Sequence, residues 1–193
     1  MKIIWRVIAI ISKPRETWLE IKSEQIPVRA LFAAYASLIA IIPAAAGFVK
    51  MSFIGTTVLG IHFRIPVMSG LIHACFYYIV SLIGVFIIAF IIHALAPSFD
   101  SRKDLESAAK LAVFSTTPAF VGEILVMAPY LGFIRFLIAM YSFVVLYLGL
   151  PVLMETPGEK RVMYFIVIVL VSFVVFPLVL MIPSLFLPSL PII

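Results

Sequence analysis

Charged residues and cysteine are both scarce in this chain, and each shortage excludes something. Only 12% of the 193 residues are charged, against 64% hydrophobic, which is too little polar surface to cover a water-soluble globule. The single cysteine, Cys75, excludes an intrachain disulfide and reads as a small packing residue. Catalytic constellations are missing as well: there is no paired-histidine zinc motif, no Gly-rich phosphate loop, no serine elbow and no pair of nearby intramembrane aspartates. Neither enzymatic activity, a cofactor nor a metal site is therefore expected. His62, in the polar stretch Gly55 to Pro66, has no carboxylate beside it and reads as part of an ordinary loop. The apolar run Ile3 to Ile11 is interrupted by Arg6 and followed by no small-residue cleavage site, so it is expected to stay in the mature chain.

Long uncharged runs fill the rest: Ala30 to Val49, Ile65 to Phe99, Leu111 to Gly122, Phe136 to Met154 and Val162 to Ile193. A spanning helix needs about 20 mostly apolar residues to cross about 30 Å of hydrocarbon. The expectation is an all-α polytopic membrane protein: an amino-terminal segment, residues 1–29, then a five-span domain, residues 30–193, with transmembrane helices near 30–50, 68–95, 108–127, 133–154 and 162–182. The third run is the weak one, limited by Lys110, which can snorkel, and by Glu123. Lys2, Arg6, Lys13, Arg15, Lys22 and Arg29 precede the first span, Arg102, Lys103 and Lys110 follow the second, and Lys160 and Arg161 follow the fourth; the other side receives only Lys50, Arg64 and Arg135. By the positive-inside rule the amino terminus faces the cytoplasm and the carboxyl terminus lies outside. Topology and anionic headgroups account for the net charge of +5 without any nucleic-acid partner.

In the amino-terminal segment, Ile3, Ile4, Val7, Ile8 and Ile11 recur at helical spacing beside Lys2 and Arg6, the pattern of an amphipathic helix lying in the interface. Pro14 then breaks one helix and opens another, and Trp18 suits the headgroup zone. Pro14 and Trp18 are the expected interfacial anchor, alone or as a docking site for a cytoplasmic protein. Ser101 with Asp104 three residues on reads as the capped start of the third helix. The stretch after Pro183 is expected to lack regular structure.

Two places could carry function. Ser115-Thr116-Thr117-Pro118 sits near the middle of the third span, where proline leaves the carbonyl of Phe114 without its usual partner and hydroxyls, a neighbouring helix or water must satisfy it. The span should bend there, as a packing kink or as the floor of a cavity. Glu123 is the one acidic residue expected inside a span, so it needs a partner. Arg135 opens the next span beyond the turn at Pro129 and Gly132 and is the preferred partner; His73 lies at similar depth, with Tyr77 one helical turn deeper. The group is either a structural tie or a titrating or binding site. Ala36, Ala40 and Ala44 form a small-residue stripe for close helix contact, within the chain or between copies.

Three stretches together resemble a known family. Pro14, Glu16, Thr17, Trp18 and Ile21 are similar to the P-x-E-T-W-x-x-I opening of prokaryotic members of the Yip family, named for Ypt/Rab-interacting proteins. Ala109-Lys110-Leu111 with Phe114-Ser115-Thr116-Thr117-Pro118 resembles its third-span signature, although Tyr is commoner where Phe114 stands, and Tyr141-Ser142 with Tyr147-Leu148-Gly149-Leu150 resembles its fourth-span pattern. The resemblance implies a five-span protein with a cytoplasmic amino terminus, and the expected location is the plasma membrane of a prokaryote. Eukaryotic relatives are associated with Rab-type GTPases; this chain has only 29 residues before its first span and no D-L-x-G-P element, which argues against carrying a GTPase partner over. The expected function is helix-mediated association with the lipid bilayer, other membrane proteins or a homo-oligomer. The alternative is a small transporter or channel using Glu123 and the Pro118 break.

Overall fold

A computed structural model describes residues 3–58 and 61–184, and within them the chain is helical apart from one small hairpin. Helices α1, Ile3–Ser12, and α2, Pro14–Ser23, come first. Lys13 alone separates them, with φ −137° and ψ 60°, and Pro14 opens α2 at the position where a missing N–H costs nothing. A long helix, Val28–Ile54, follows; it contains α3, Val28–Leu31, and α4, Ser37–Val49, with π-helical turns at Phe32–Ala36 and Lys50–Ile54. After it come α5, Val67–Leu95, α6, Leu105–Gly122, α7, Gly132–Leu153, and α8, Gly158–Ser184.

Among the described residues, four helices are long and apolar enough to cross a bilayer: Val28–Ile54, Val67–Phe99, Leu105–Met127 and Gly132–Leu153. Helix α8, at 27 residues, matches them in length, and it turns Met163, Ile166, Leu170 and Val174 outward. The molecule is an all-α multi-pass membrane protein. Helix α8 continues through Pro177 and Pro183 to Ser184; the expected irregular tail beyond it lies outside the described residues.

Helix α6 sits at the centre, packed on α5 and α7, while α5 also holds α4 and α8. Its mean hydropathy of 1.3 is the lowest of the four spans, against 2.0–2.8 for the rest, and it is the most enclosed. The two facts belong together, because a helix wrapped by protein instead of lipid has no need of an apolar outer face. Ala36, Ala40 and Ala44 are buried within the chain, so the small-residue stripe is spent on internal packing.

Local signals explain the helix ends. Asp104, not Ser101, caps α6: its carboxylate accepts from the Glu106 and Ser107 N–H groups and from Ser107 Oγ. Burial alone would raise this carboxyl, but those hydrogen bonds, with Arg102 nearby, more than offset it and hold Asp104 below its ordinary value. Ser101 instead turns its hydroxyl to Thr156 Oγ1 at 2.9 Å. The stretch expected to be a loop after α4 contains an antiparallel hairpin, β1 Thr56–Val58 with β2 Ile61–Phe63 and Thr57 opposite His62. Gly55 enters it at φ 79°, where an added Cβ would collide with Phe63 O.

Candidate functional site

Helix α6 runs through Pro118 without interruption and tightens to a 3-10 turn only from Glu123 to Met127. The hydroxyls before the proline bond back to the preceding turn: Ser115 Oγ and Thr116 Oγ1 to the Ala112 carbonyl at 3.1 and 2.6 Å, and Thr117 Oγ1 to the Val113 carbonyl at 3.3 Å. Thr117 also meets the Tyr35 hydroxyl at 3.0 Å. Just past the proline, the Ala119 N–H donates to Ser142 Oγ on α7 at 2.9 Å. The neighbouring helix thus takes up the Ala119 N–H, a backbone donor that cannot turn to water within hydrocarbon.

Five residues farther along the chain from Pro118, Glu123 Oε2 receives Arg135 Nη1 from the first turn of α7 at 3.3 Å. The turn between them makes their helices antiparallel neighbours. Both side chains keep about a third of their surface, 32% and 39%, so the pair is half-buried. Tyr77, on α5, lines the same cavity as Glu123 and lies within the electrostatic reach of both charges. His73 is buried one turn earlier on α5, its ring centroid 6.2 Å from that of Tyr77, and makes no hydrogen bond or ion pair with Glu123. Three of the four expected residues therefore gather, and His73 connects through Tyr77 alone. Among the described residues no group of three His, Cys, Asp or Glu side chains could hold a metal ion.

The cavity shared by Tyr77 and Glu123 has a volume of about 330 Å³ and lies between α5, α6, α7 and α8. Apolar side chains such as Phe143 and Phe173 form most of its wall, and the hydroxyls of Ser115, Thr116, Ser142 and Ser172 interrupt it. A second cavity of about 550 Å³ opens on the other flank of α6 against Ile11, Gly122 and Tyr141, and is almost wholly apolar. A third, of about 420 Å³, lies at the charge-rich end of the bundle among Lys22, Glu24, Arg102, Asp104 and Lys110.

Pro14 and Trp18 are not placed as a headgroup anchor would be. Trp18 is fully buried, its indole N–H donating to the Val145 carbonyl of α7 at 3.0 Å and its ring meeting Phe114 edge-on with centroids 6.3 Å apart. Pro14 is half-buried at the head of α2. The two helices fold back on each other as a hairpin, since Arg6 of α1 pairs with Glu20 at 3.5 Å and with Glu24. Helix α2 lies along the end of α7, where Lys22 bonds Glu155 at 2.9 Å, and α1 meets α7 near its middle, where the Tyr141 hydroxyl donates to the Ile11 carbonyl at 2.8 Å. Lys110 does not snorkel to a headgroup; it is buried, and its ammonium donates to the Glu24 carbonyl.

Gly149 was the available signal for this docking. An isolated glycine inside an apolar helix lowers helix stability and usually has a packing reason. Here a Cβ would lie 2.7 and 2.9 Å from Trp18 ring atoms and 2.5 Å from Leu111 Cδ1.

Comparison with known proteins agrees with this architecture. A family model described as Yip1 domain matches residues 8–181, from α1 almost to the end of α8. No curated protein and no solved structure matches the chain.

Proposed function

The chain belongs to the Yip1 domain family, and from that premise we propose that it is a non-catalytic, multi-pass protein that works by association with other membrane proteins, through the α1–α2 hairpin. The observation that carries this reading is the outer face of α2. Arg15, Glu16, Leu19 and Glu20 are exposed there, with Glu16 and Glu20 side chains at 72% and 61%, while the same helix runs beside α7 from Glu155 to Val145. That stretch is the inner half of a spanning helix when the amino terminus faces the cytoplasm, the side favoured by the Lys and Arg distribution. Charges facing hydrocarbon cost about 2.5–3.5 kcal/mol each at a helix centre, so a protein partner is the better cover for this face.

The test is site-specific crosslinking in native membranes. A photoreactive residue at Glu16 is expected to give one or a few reproducible adducts, and the same probe at Leu170, on the lipid-facing side of α8, none. Adducts absent at Glu16, with full labelling there by a water-soluble thiol reagent in a cysteine variant, would mean that water and not a partner covers α2.

The cavity beneath Glu123 supports a second reading, a small transporter, because it joins an intramembrane carboxylate to a proline-interrupted helix. Flux into liposomes should then fall at least tenfold in Glu123→Gln. Unchanged flux removes Glu123 from any transport mechanism.

A further inference from the structure

We propose that the 330 Å³ cavity between α5, α6, α7 and α8 is a binding site for an uncharged single-chain amphiphile, its hydroxyl-type head at Glu123 and Tyr77 and its chain along Phe143 and Phe173. The size is at the lower end of small-ligand sites, and a mostly apolar wall with a few polar points is their usual composition. The polar points are incompletely used. Tyr77 and Ser172 make no hydrogen bond among the described residues, and Ser142 Oγ accepts from the Ala119 N–H while its own hydrogen has no acceptor among the described residues. Unmet hydroxyls enclosed by helices in a membrane are costly, so a ligand that meets them gains affinity.

Charge decides the head. Glu123, the one charged residue of the wall, is balanced by Arg135 beside the cavity at 3.3 Å through Oε2, which leaves Oε1 as an acceptor. An ammonium head finds its counter-charge already taken, and a carboxylate head meets Glu123 itself. A neutral donor is complementary to both Oε1 and the Tyr77 hydroxyl, and loses no ionic hydration on entry. The chain must be apolar, since beyond Glu123 and Tyr77 the wall offers only scattered serine and threonine hydroxyls.

This binding is separate from partner association and precedes any transport, so its outcome is independent of both tests above. The full chain in lipid nanodiscs is photolabelled with decanol carrying a diazirine, and adducts are mapped by mass spectrometry in the presence of unlabelled decanol, decylamine or decanoate. Adducts are expected at Met140, Phe143 or Phe173. Decanol should displace them at concentrations at least tenfold lower than the amine or the acid. Tyr77→Phe, which removes one oxygen and keeps the ring, should weaken displacement about three- to tenfold, the range of one neutral hydrogen bond, and Ser172→Phe should abolish the adducts by filling the space. Labelling spread over the outer belt at Ile79, Phe136 and Leu170, equal displacement by all three competitors, or an unchanged Tyr77→Phe would each overturn the assignment.

Discussion

Trp18→Ala is expected to destabilise the protein by about 3–5 kcal/mol, the usual cost of truncating a large buried aromatic. The residue is fully buried, and its loss removes three things at once: the edge-on contact with Phe114, the hydrogen bond to the Val145 carbonyl and the fit over Gly149. The Val145 carbonyl lies within a helix, so the indole is an additional donor to it, and its loss leaves no orphaned acceptor. Most of the effect is therefore packing. The converse change, Gly149→Ala, places a methyl 2.7 Å from the Trp18 ring and 2.5 Å from Leu111 and should cost about 1–3 kcal/mol through overpacking. In the Trp18→Ala background the ring is gone, so the same methyl fills part of the void and gains helix propensity of up to about 1 kcal/mol. A double-mutant cycle, with unfolding followed in detergent and trypsin cleavage at Arg15 as a second readout, should thus show strong non-additivity. Equal costs for Gly149→Ala in both backgrounds would mean that α2 does not dock where Gly149 meets Trp18.

What could be read from the chain and what could not divide along a physical line. Hydropathy and charge reported the spans, because contact with hydrocarbon constrains every exposed position of a helix in the same way. Glu123 and Arg135 could be foreseen as neighbours because a short turn forces antiparallel packing, and the structure brings their charged atoms to 3.3 Å. The hairpin was less legible. The periodicity of α1 shows that one face is apolar but not what covers the other, and Arg6, which looks like the polar edge of an interfacial helix, is buried while Ile4, Trp5 and Ile8 face outward. Trp18 misled for a related reason: an indole with one donor suits a headgroup zone and a helix-packed pocket equally well, and only the partner glycine, 131 positions away, distinguishes them. The cap of α6 turned on a similar ambiguity, since Ser101 and Asp104 both suit the role and Thr156 claims the serine.

The hairpin's other fastening is electrostatic, and it leads to the second large effect: Arg6→Met should destabilise the docked α1 by about 2–3 kcal/mol. Arg6 is 5% exposed, and its guanidinium sits 6.0 Å from the Phe114 ring centroid and reaches Glu20 and Glu24 together. Removing one member of a fully buried ion pair costs about 3–5 kcal/mol. Here the carboxylates keep part of their exposure, 61% and 33%, so water takes up some of the abandoned charge and the expectation falls below that range. Glu24 should carry more of the loss than Glu20, because it is the less exposed and because its carbonyl also receives Lys110. Hence Glu20→Gln is expected within about 1 kcal/mol of the native protein, Glu24→Gln beyond it, and Arg6→Lys intermediate, since an ammonium keeps the charge without the planar fork that serves two carboxylates and faces an aromatic ring. Arg6→Glu combined with Glu24→Arg should recover part of the stability lost in either single variant. If Arg6→Met unfolds at the native temperature with α1 equally resistant to protease, the buried cation contributes nothing to docking, and the packing of Ile10 and Trp18 with the hydrogen bonds to α6 and α7 holds the hairpin in place.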